Sequence, residues 1–299
     1  MSKSRRLQPV AVALVLSVLL SSCLASRRII TRGRGHKQVD GTAPPLKVAT
    51  GEDLSAIIAR NYNAIDSFQA LDVTLTASQG SVHEGNIKDY KSFPAGFIIF
   101  RKADSIRIRA YVPVVGNLAL DMVSTGNSFR FLLPSKNTLF EGLNSAPAHS
   151  PNRMENLRPD AFLSSMLIRP VDSEIEVAML KDDTDEDNAL YRLELNRKTP
   201  NGILVPGRDI WFDREDLTIA RQKIYDSRGN IISDTSYSKW QMFNGVPFPV
   251  HIDINRRIDG YGVAIELDKD KMEMNKEVPS SKFELIPSEL EGATRKVIE

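Results

Sequence analysis

The sequence has few of the residues and patterns that form disulfides, bind polyanions or span membranes. It contains a single cysteine among 299 residues, so it forms no intramolecular disulfide. Its 39 Lys and Arg residues are balanced by 38 Asp and Glu residues, which leaves no basic excess to neutralise the phosphates of a nucleic acid. The apolar run at residues 10–20 is too short for a transmembrane helix, which needs about 20 apolar residues. What remains is the composition of an ordinary globular protein, with 41% hydrophobic and 26% charged residues.

Catalytic and metal-binding patterns are also lacking. The four histidines stand apart from any other His, Cys or Glu at the spacing of a zinc site, and there is no G-x-S-x-G motif or phosphate-binding glycine loop. We therefore predict that the protein is not an enzyme and carries no cofactor and no metal. The acidic run at residues 182–187 offers oxygen ligands, but it lacks the glycine and the terminal glutamate of an EF-hand loop. We favour a solvated hairpin tip there, with a cation site as the alternative.

The N-terminus carries an export and anchoring pattern. Basic residues precede the apolar run, which ends in Leu20-Ser21-Ser22-Cys23, a sequence that resembles the bacterial lipobox. The resemblance implies that residues 1–22 are a signal peptide and that Cys23 receives a diacylglycerol anchor. Leu24 follows in place of Asp, and by resemblance to the sorting rule of two-membrane bacteria this favours the periplasmic face of the outer membrane. A buried cysteine after a chance apolar run is the alternative.

Residues 23–49 are rich in Arg, Gly and Pro and show no apolar periodicity, which predicts a flexible basic tether. A folded domain is predicted over residues 50–299. Thr50 and Asp53 have the spacing of a capping box and precede apolar residues at helical spacing, and a second helix is predicted from Pro159. Elsewhere apolar residues alternate, as in half-buried strands. We expect an α+β domain in which one curved antiparallel sheet of about ten strands wraps the helices.

One predicted loop is unusually apolar. It lies between two predicted strands, where turns are normally polar, and comprises Val112, Pro113, Val114, Val115 and Gly116. An apolar loop tip is typical of a contact with a membrane or a partner. A loop folded back onto the core is an equally weighted alternative.

Weak motifs in a characteristic order give the chain a family resemblance over about residues 50–285. They are Ser67-Phe68-x-Ala70-Leu71, Arg107-Ile108-Arg109-Ala110-Tyr111, Trp211-Phe212-Asp213, Tyr225-Asp226-x-x-Gly229, Tyr237-x-x-Trp240 and Pro247-Phe248-Pro249. The chain thereby resembles the LolA-like carriers and LolB-like receptors that sort outer-membrane lipoproteins. The resemblance implies an unclosed β-barrel with a helical lid, whose interior takes up the acyl chains of lipidated proteins or acyl lipids.

The lipobox makes the membrane-anchored LolB-like receptor the closer analogue, and the resemblance implies a monomer that meets a soluble periplasmic carrier and the outer membrane. Strand alternation selects an acyl-chain lining of Ile106, Ile108, Leu120, Met122, Phe129, Phe131, Ile252, Ile254, Ile265 and Leu267. A packed core without a cavity is the alternative. It corresponds to a non-transporting structural or sensory lipoprotein that uses the same fold to bind a protein partner. A continuous apolar cavity on the order of several hundred Å³ would distinguish the two functions.

Overall fold

The computed structural model describes residues 45–81, 86–102, 104–146, 150 and 153–298, so Cys23 and the predicted signal peptide lie outside the described residues. Helix α1 (Gly51–Asn63) begins as predicted. The Asp53 amide donates to Thr50 Oγ1 at 3.1 Å, and the Thr50 amide donates to Asp53 Oδ2 at 2.8 Å. This reciprocal capping box fixes the start of the helix. Just before it, the Lys47 amide donates to the Arg214 carbonyl at 2.7 Å.

The described chain is mostly strand. In chain order the strands are β1 (Ser67–Ala70), β2 (Val73–Ser81), β3 (Asn86–Phe93), β4 (Ala95–Arg101), β5 (Ser105–Tyr111), β6 (Leu118–Thr125), β7 (Ser128–Leu133), β8 (Thr138–Leu143), β9 (Glu176–Asp182), β10 (Leu190–Lys198), β11 (Leu204–Asp213), β12 (Ile219–Tyr225), β13 (Ile231–Phe243), β14 (Val246–Arg256), β15 (Tyr261–Leu267), β16 (Met272–Met274) and β17 (Thr294–Ile298). Helix α2 (Pro159–Met166) interrupts them. None of the described helices is both long enough and apolar enough to cross a membrane.

The strands form two curved sheets that are not closed into a barrel. Sheet A has the order β16-β1-β4-β5-β6-β7-β8-β17, and sheet B has the order β3-β2-β15-β14-β13-β12-β11-β10-β9. All neighbouring strands are antiparallel except β17, which runs parallel to β8. The predicted α+β class with an unclosed antiparallel sheet is confirmed. The structure has two sheets where the sequence predicts one, because the chain passes from sheet A to sheet B between β1 and β2 and back between β3 and β4.

A glycine marks the place where the two sheets approach each other. A Cβ on Gly96 would lie 2.5 Å from the Arg109 carbonyl oxygen and 3.3 Å from that of Val73. Gly96 and Arg109 are on neighbouring strands of sheet A, whereas Val73 is on sheet B. Glycine therefore allows a close backbone approach at the corner.

The outer face of sheet A is covered by a C-terminal strap, which we define as residues 275–293. Val278, Phe283 and Leu285 of the strap pack against Ile99 and Val123 in a second apolar cluster. Both faces of β5 are consequently buried. The strap has no periodic pattern, and the sequence does not predict it.

Candidate functional site

The sheets bring the predicted acyl-chain lining together. On sheet A, Ile108 lies opposite Met122, and Met122 lies opposite Phe131. On sheet B, Ile252 lies opposite Ile265. Every residue of the predicted lining is buried, and all of them belong to the one large core cluster between the sheets. The burial agrees with the alternation pattern, and the role in acyl binding stays a prediction.

Helix α2 fills much of the space between the two sheets. Its side chains Phe162, Leu163 and Met166 are buried in the same core. The helix contacts β5 and β6 of sheet A and β14 of sheet B. It begins with Pro159, whose missing N–H and fixed φ suit a first helical position. In this conformation the interior is occupied by the chain's own apolar helix.

Polar groups of sheet B hold α2 in place. The Tyr237 hydroxyl donates to the Ser165 carbonyl at 2.7 Å, and the hydroxyls of Ser165 and Thr235 are 3.2 Å apart. Burial raises the pKa of Tyr237 above its ordinary value, so its proton stays in place as the donor. These contacts give the Ser165 carbonyl and hydroxyl, in the last turn of the helix, hydrogen-bond partners within a largely apolar core.

A small apolar cavity of about 30 Å³ remains beside α1 and α2. Its lining comprises Ile58, Asn61, Tyr62, Ile65, Met166, Leu167, Ile168, Ile219, Tyr237, Trp240, Pro247, Phe248 and Pro249. None of these residues belongs to the lining predicted by strand alternation. The missed signal is the apolar face of α1, since Ile58 and Tyr62 are four positions apart. The cavity is far below the several hundred Å³ of a typical ligand pocket.

The apolar loop projects away from the core. Val114 is fully exposed, and Val115 is exposed to 64%. The Gly116 amide donates to the Val112 carbonyl at 3.0 Å, which closes the loop as a tight turn. Val114 has a φ of 70°, which is a strained conformation for a β-branched residue. Of the two alternatives from the sequence, the structure therefore has the exposed loop.

The acidic run forms ion pairs with neighbouring arginines. Asp182 lies 2.9 Å from Arg214, and Asp183 lies 3.1 Å from Arg192. Asp185 accepts the Asn188 amide at 2.7 Å within its own turn. The described residues contain no cluster of three or more His, Cys, Asp or Glu side chains able to hold a metal ion. The run is a hairpin connection in which the carboxylates of Asp182, Asp183 and Asp185 are already engaged.

The sequence analysis missed a cluster of arginines at one end of sheet B. Arg208 is 7% exposed and lies opposite Leu195 on β10 and Ile224 on β12. Arg169 and Arg197 line the same pocket. Arg208 is two residues before Ile210 and so shares its buried face, which is a signal that the sequence did contain.

The comparisons with known proteins concern the fold. The sequence matches no protein-family model and no curated protein. Among solved structures, the chain is similar to a DUF1329 family protein from Desulfovibrio piger, with a TM-score of 0.53, 13% identity, and coverage of 81% of this chain and 98% of that one. It is also similar to a LolA superfamily protein from Nitrosomonas europaea, with a TM-score of 0.47, 12% identity, and coverage of 77% and 97%.

A third similar structure is a putative outer membrane lipoprotein-sorting protein domain from Vibrio parahaemolyticus, with a TM-score of 0.49, 8% identity, and coverage of 78% and 94%. The neighbours therefore include DUF1329 and LolA superfamily proteins. Of these three structures, the Desulfovibrio piger protein has a TM-score above 0.5, and its identity to this chain is 13%. We conclude that this chain shares its fold with the Desulfovibrio piger DUF1329 family protein.

Proposed function

We propose that this protein is a lipid-anchored envelope lipoprotein that binds acyl chains between its two sheets and takes part in localising lipoproteins or lipids to the outer membrane. Cys23, in its lipobox-like context, supplies the anchor. The proposal needs no catalytic group. The ligand moves according to the difference in its binding free energy between donor, receptor and membrane.

One observation carries the proposal: the apolar interior between two unclosed sheets contains a short helix whose side chains are part of that core. Helix α2 has eight residues, and its polar attachments are few. If the apolar side chains of α2 shift aside, the faces that carry Ile108 and Ile252 become available, and an acyl chain can take their place beside the helix. The gain from burying the chain, roughly 0.8 kcal/mol per methylene, offsets the cost of displacing α2.

The exposed loop supplies a second apolar surface, separate from the interior. Val114 and Val115 project into solvent, and backbone hydrogen bonds from the Gly116 amide to the Val112 carbonyl and from the Val112 amide to the Asn117 carbonyl hold the turn. A fixed apolar tip is suited to entering the edge of a bilayer or to docking a lipid-loaded carrier.

A locked helix tests the proposal directly. The experiment uses the full chain with Cys23→Ser, Ser165→Cys and Thr235→Cys, because the hydroxyls of Ser165 and Thr235 are 3.2 Å apart and the chain contains no other cysteine. We expect the reduced protein to take up a fluorescent fatty acid and the oxidised protein to take up little. The same molecule thus serves as its own control.

Two other outcomes are informative. Equal uptake by the reduced and oxidised forms would show that the acyl chain binds elsewhere and that movement of α2 is not required for binding. No uptake by either folded form, nor by the Cys23→Ser parent, would favour the second candidate function, a non-transporting lipoprotein that binds a protein partner. The cavity of only about 30 Å³ is the observation that favours this second function.

A further inference from the structure

The inner face of sheet B changes from apolar to cationic at one end. Leu193 and Ile210 lie opposite each other on β10 and β11, and both are fully buried. One step along the same face, Leu195 lies opposite Arg208. Arg197 follows two residues later on that face. The apolar interior therefore ends at a pair of arginines.

A β-bulge at Gly207 on β11 lies under the Arg197 side chain of β10. Gly207 has no partner, because the register shifts between the Leu195–Arg208 pair and the next pair on β10. A Cβ on Gly207 would lie 2.7 Å from the Leu195 carbonyl oxygen and 3.0 Å from Arg197 Cγ. Only glycine leaves room for the Arg197 stem to cross the strand here.

The positive charge of the pocket is not fully balanced. Arg208 donates to both carboxylate oxygens of Glu176, each at 2.9 Å, and to the Arg169 carbonyl at 2.6 Å. No carboxylate of the described residues forms an ion pair with the guanidinium of Arg169 or Arg197. Within the described chain, Arg197 Nε is buried and has no hydrogen-bond partner. A buried guanidinium N–H without a partner is costly, and an anionic ligand would satisfy it.

The pocket has room for such an anion. Its volume is about 110 Å³, whereas about 10–15 Å³ on the same measure suffices for one water. Three arginines face one glutamate in its lining, which comprises Ser164, Arg169, Glu176, Arg197, Gly207, Arg208, Gln222, Ile224 and Tyr225. Asp172 and Glu174 line the neighbouring open depression, and Asp172 Oδ1 accepts the Glu174 amide at 3.0 Å. Guanidinium groups bind phosphate with paired hydrogen bonds.

The arginine pocket adjoins the apolar cavity. Gln222 lines the pocket, Tyr237 lines the cavity, and the Tyr237 hydroxyl oxygen lies 3.2 Å from Gln222 Oε1. The chain also passes directly from Ile168, in the cavity lining, to Arg169, in the pocket lining. A single layer of side chains separates an apolar space from a cationic one.

We infer that this arginine pocket binds the phosphate of a lipid headgroup, while the acyl chains of the same lipid enter the apolar interior beside α2. The inference rests on the proposed function, because it assigns the headgroup chemistry of the ligand at that site. Arg197 and Arg169 donate to the phosphate, and Arg208 stays paired with Glu176 and fixes the wall of the pocket.

Calorimetric titration of the full chain with Cys23→Ser tests the inference, with dihexanoylphosphatidylglycerol and dihexanoylglycerol as probes. The two lipids have the same acyl chains, and only the first has a phosphate. We expect the phospholipid to bind at least about tenfold more tightly. Arg197→Gln and Arg169→Gln should each weaken its binding about tenfold and leave that of dihexanoylglycerol unchanged. Arg295→Gln, an exposed arginine on β17, is the matched control, and thermal melts verify that each variant is folded.

The outcomes separate this inference from the proposed function. Equal binding of both lipids would overturn the headgroup site and leave acyl binding standing. No binding of either lipid would overturn both. Glycerol 3-phosphate is titrated as well. If it bound as tightly as the phospholipid and with the same dependence on Arg197, the pocket would be a site for free phosphate esters and the lipid assignment would be wrong.

Discussion

Arg107 and Asp121 form a two-bond ion pair across β5 and β6, buried beneath the C-terminal strap. Arg107 Nε donates to Asp121 Oδ1 at 3.0 Å, and Nη2 donates to Oδ2 at 2.6 Å. Arg109 Nε lies 3.4 Å from Asp121 Oδ2, and Arg107 Nη1 donates to the Lys282 carbonyl of the strap at 3.1 Å. The carboxylate therefore orients an arginine that fastens the strap to sheet A.

Replacement of Asp121 should release the strap. Asp121→Asn keeps the shape of the side chain but leaves Arg107 and Arg109 without their shared buried counter-charge, which costs about 3–5 kcal/mol of unfolding free energy. We expect a lower melting temperature and faster proteolysis within residues 275–293. Asp268→Asn changes an exposed carboxylate and serves as the control. Unchanged proteolysis of Asp121→Asn would show that the strap is held by its apolar contacts alone.

Glu155 should contribute an acid-dependent part of the stability. Burial by itself raises the pKa of Glu155, but Lys296, Lys136 and Ser150 donate to its carboxylate and hold the pKa at about 2, below the ordinary value of 4.5. A lowered pKa in the folded state stabilises the fold above pH 4.5, and this contribution is lost as the pH falls toward about 2.

Chemical denaturation at a series of pH values measures this effect. The loss of unfolding free energy between pH 4.5 and about 2 should be smaller in Glu155→Gln than in the parent protein. Glu174→Gln, which changes an exposed glutamate, should keep the parent's slope. Identical slopes in all three proteins would contradict the lowered pKa.

Glutamates in the apolar loop should separate loop function from folding. Val114 and Val115 are exposed, so changing both to Glu should alter the melting temperature little, because exposed apolar residues contribute little to folding. Lipid transfer or insertion into vesicles should fall sharply, while acyl binding in the interior persists. Thermal melts and a lipoprotein-release assay on the same variant measure the two effects. Full transfer by the stable variant would rule out a docking role for the loop.

Cys23→Ser should abolish lipidation. Cys23 is the only cysteine of the chain, so no other thiol can accept a diacylglycerol. Metabolic labelling with a radioactive fatty acid, followed by mass spectrometry, should show label in the parent protein and none in the variant. Membrane fractionation should show the variant released from the membrane. A variant that kept its mass and its membrane association would contradict the lipobox interpretation.

Local sequence patterns predicted the helices and strands well. They did not predict contacts between segments that are far apart in the sequence. The capping box at Thr50 and the strand alternation of Ile106 and Ile108 depend on neighbours in sequence, and both appear in the structure. The same alternation places Arg107 on the solvent side of β5, but residues 275–293 cover that face from far along the chain. The hydrogen-bond partners of the buried Arg208 guanidinium, Glu176 and the carbonyls after α2, are likewise set by tertiary structure.

The candidate acyl-binding interior was predicted only in part, because local patterns do not show long-range packing. Alternation identified the inward faces of the strands, because burial on a sheet follows a period of two. It could not show that α2 occupies the space between those faces, since that depends on the paths of β5, β6 and β14. The exposure of Val114 also depends on the geometry of the turn, where the sequence left two alternatives open.

The end of the described chain has a consequence for solubility. Strand β16 pairs with β1 at one edge of sheet A, and β17 pairs with β8 at the other edge. Without residues 272–298, β1 and β8 would each present a row of free backbone donors and acceptors, which are templates for intermolecular strand addition. The strands that replace them as edges have three and five residues, and β17 carries Arg295 and Lys296. Residues 272–298 thus give sheet A two short edge strands, one of them charged, and such edges resist aggregation.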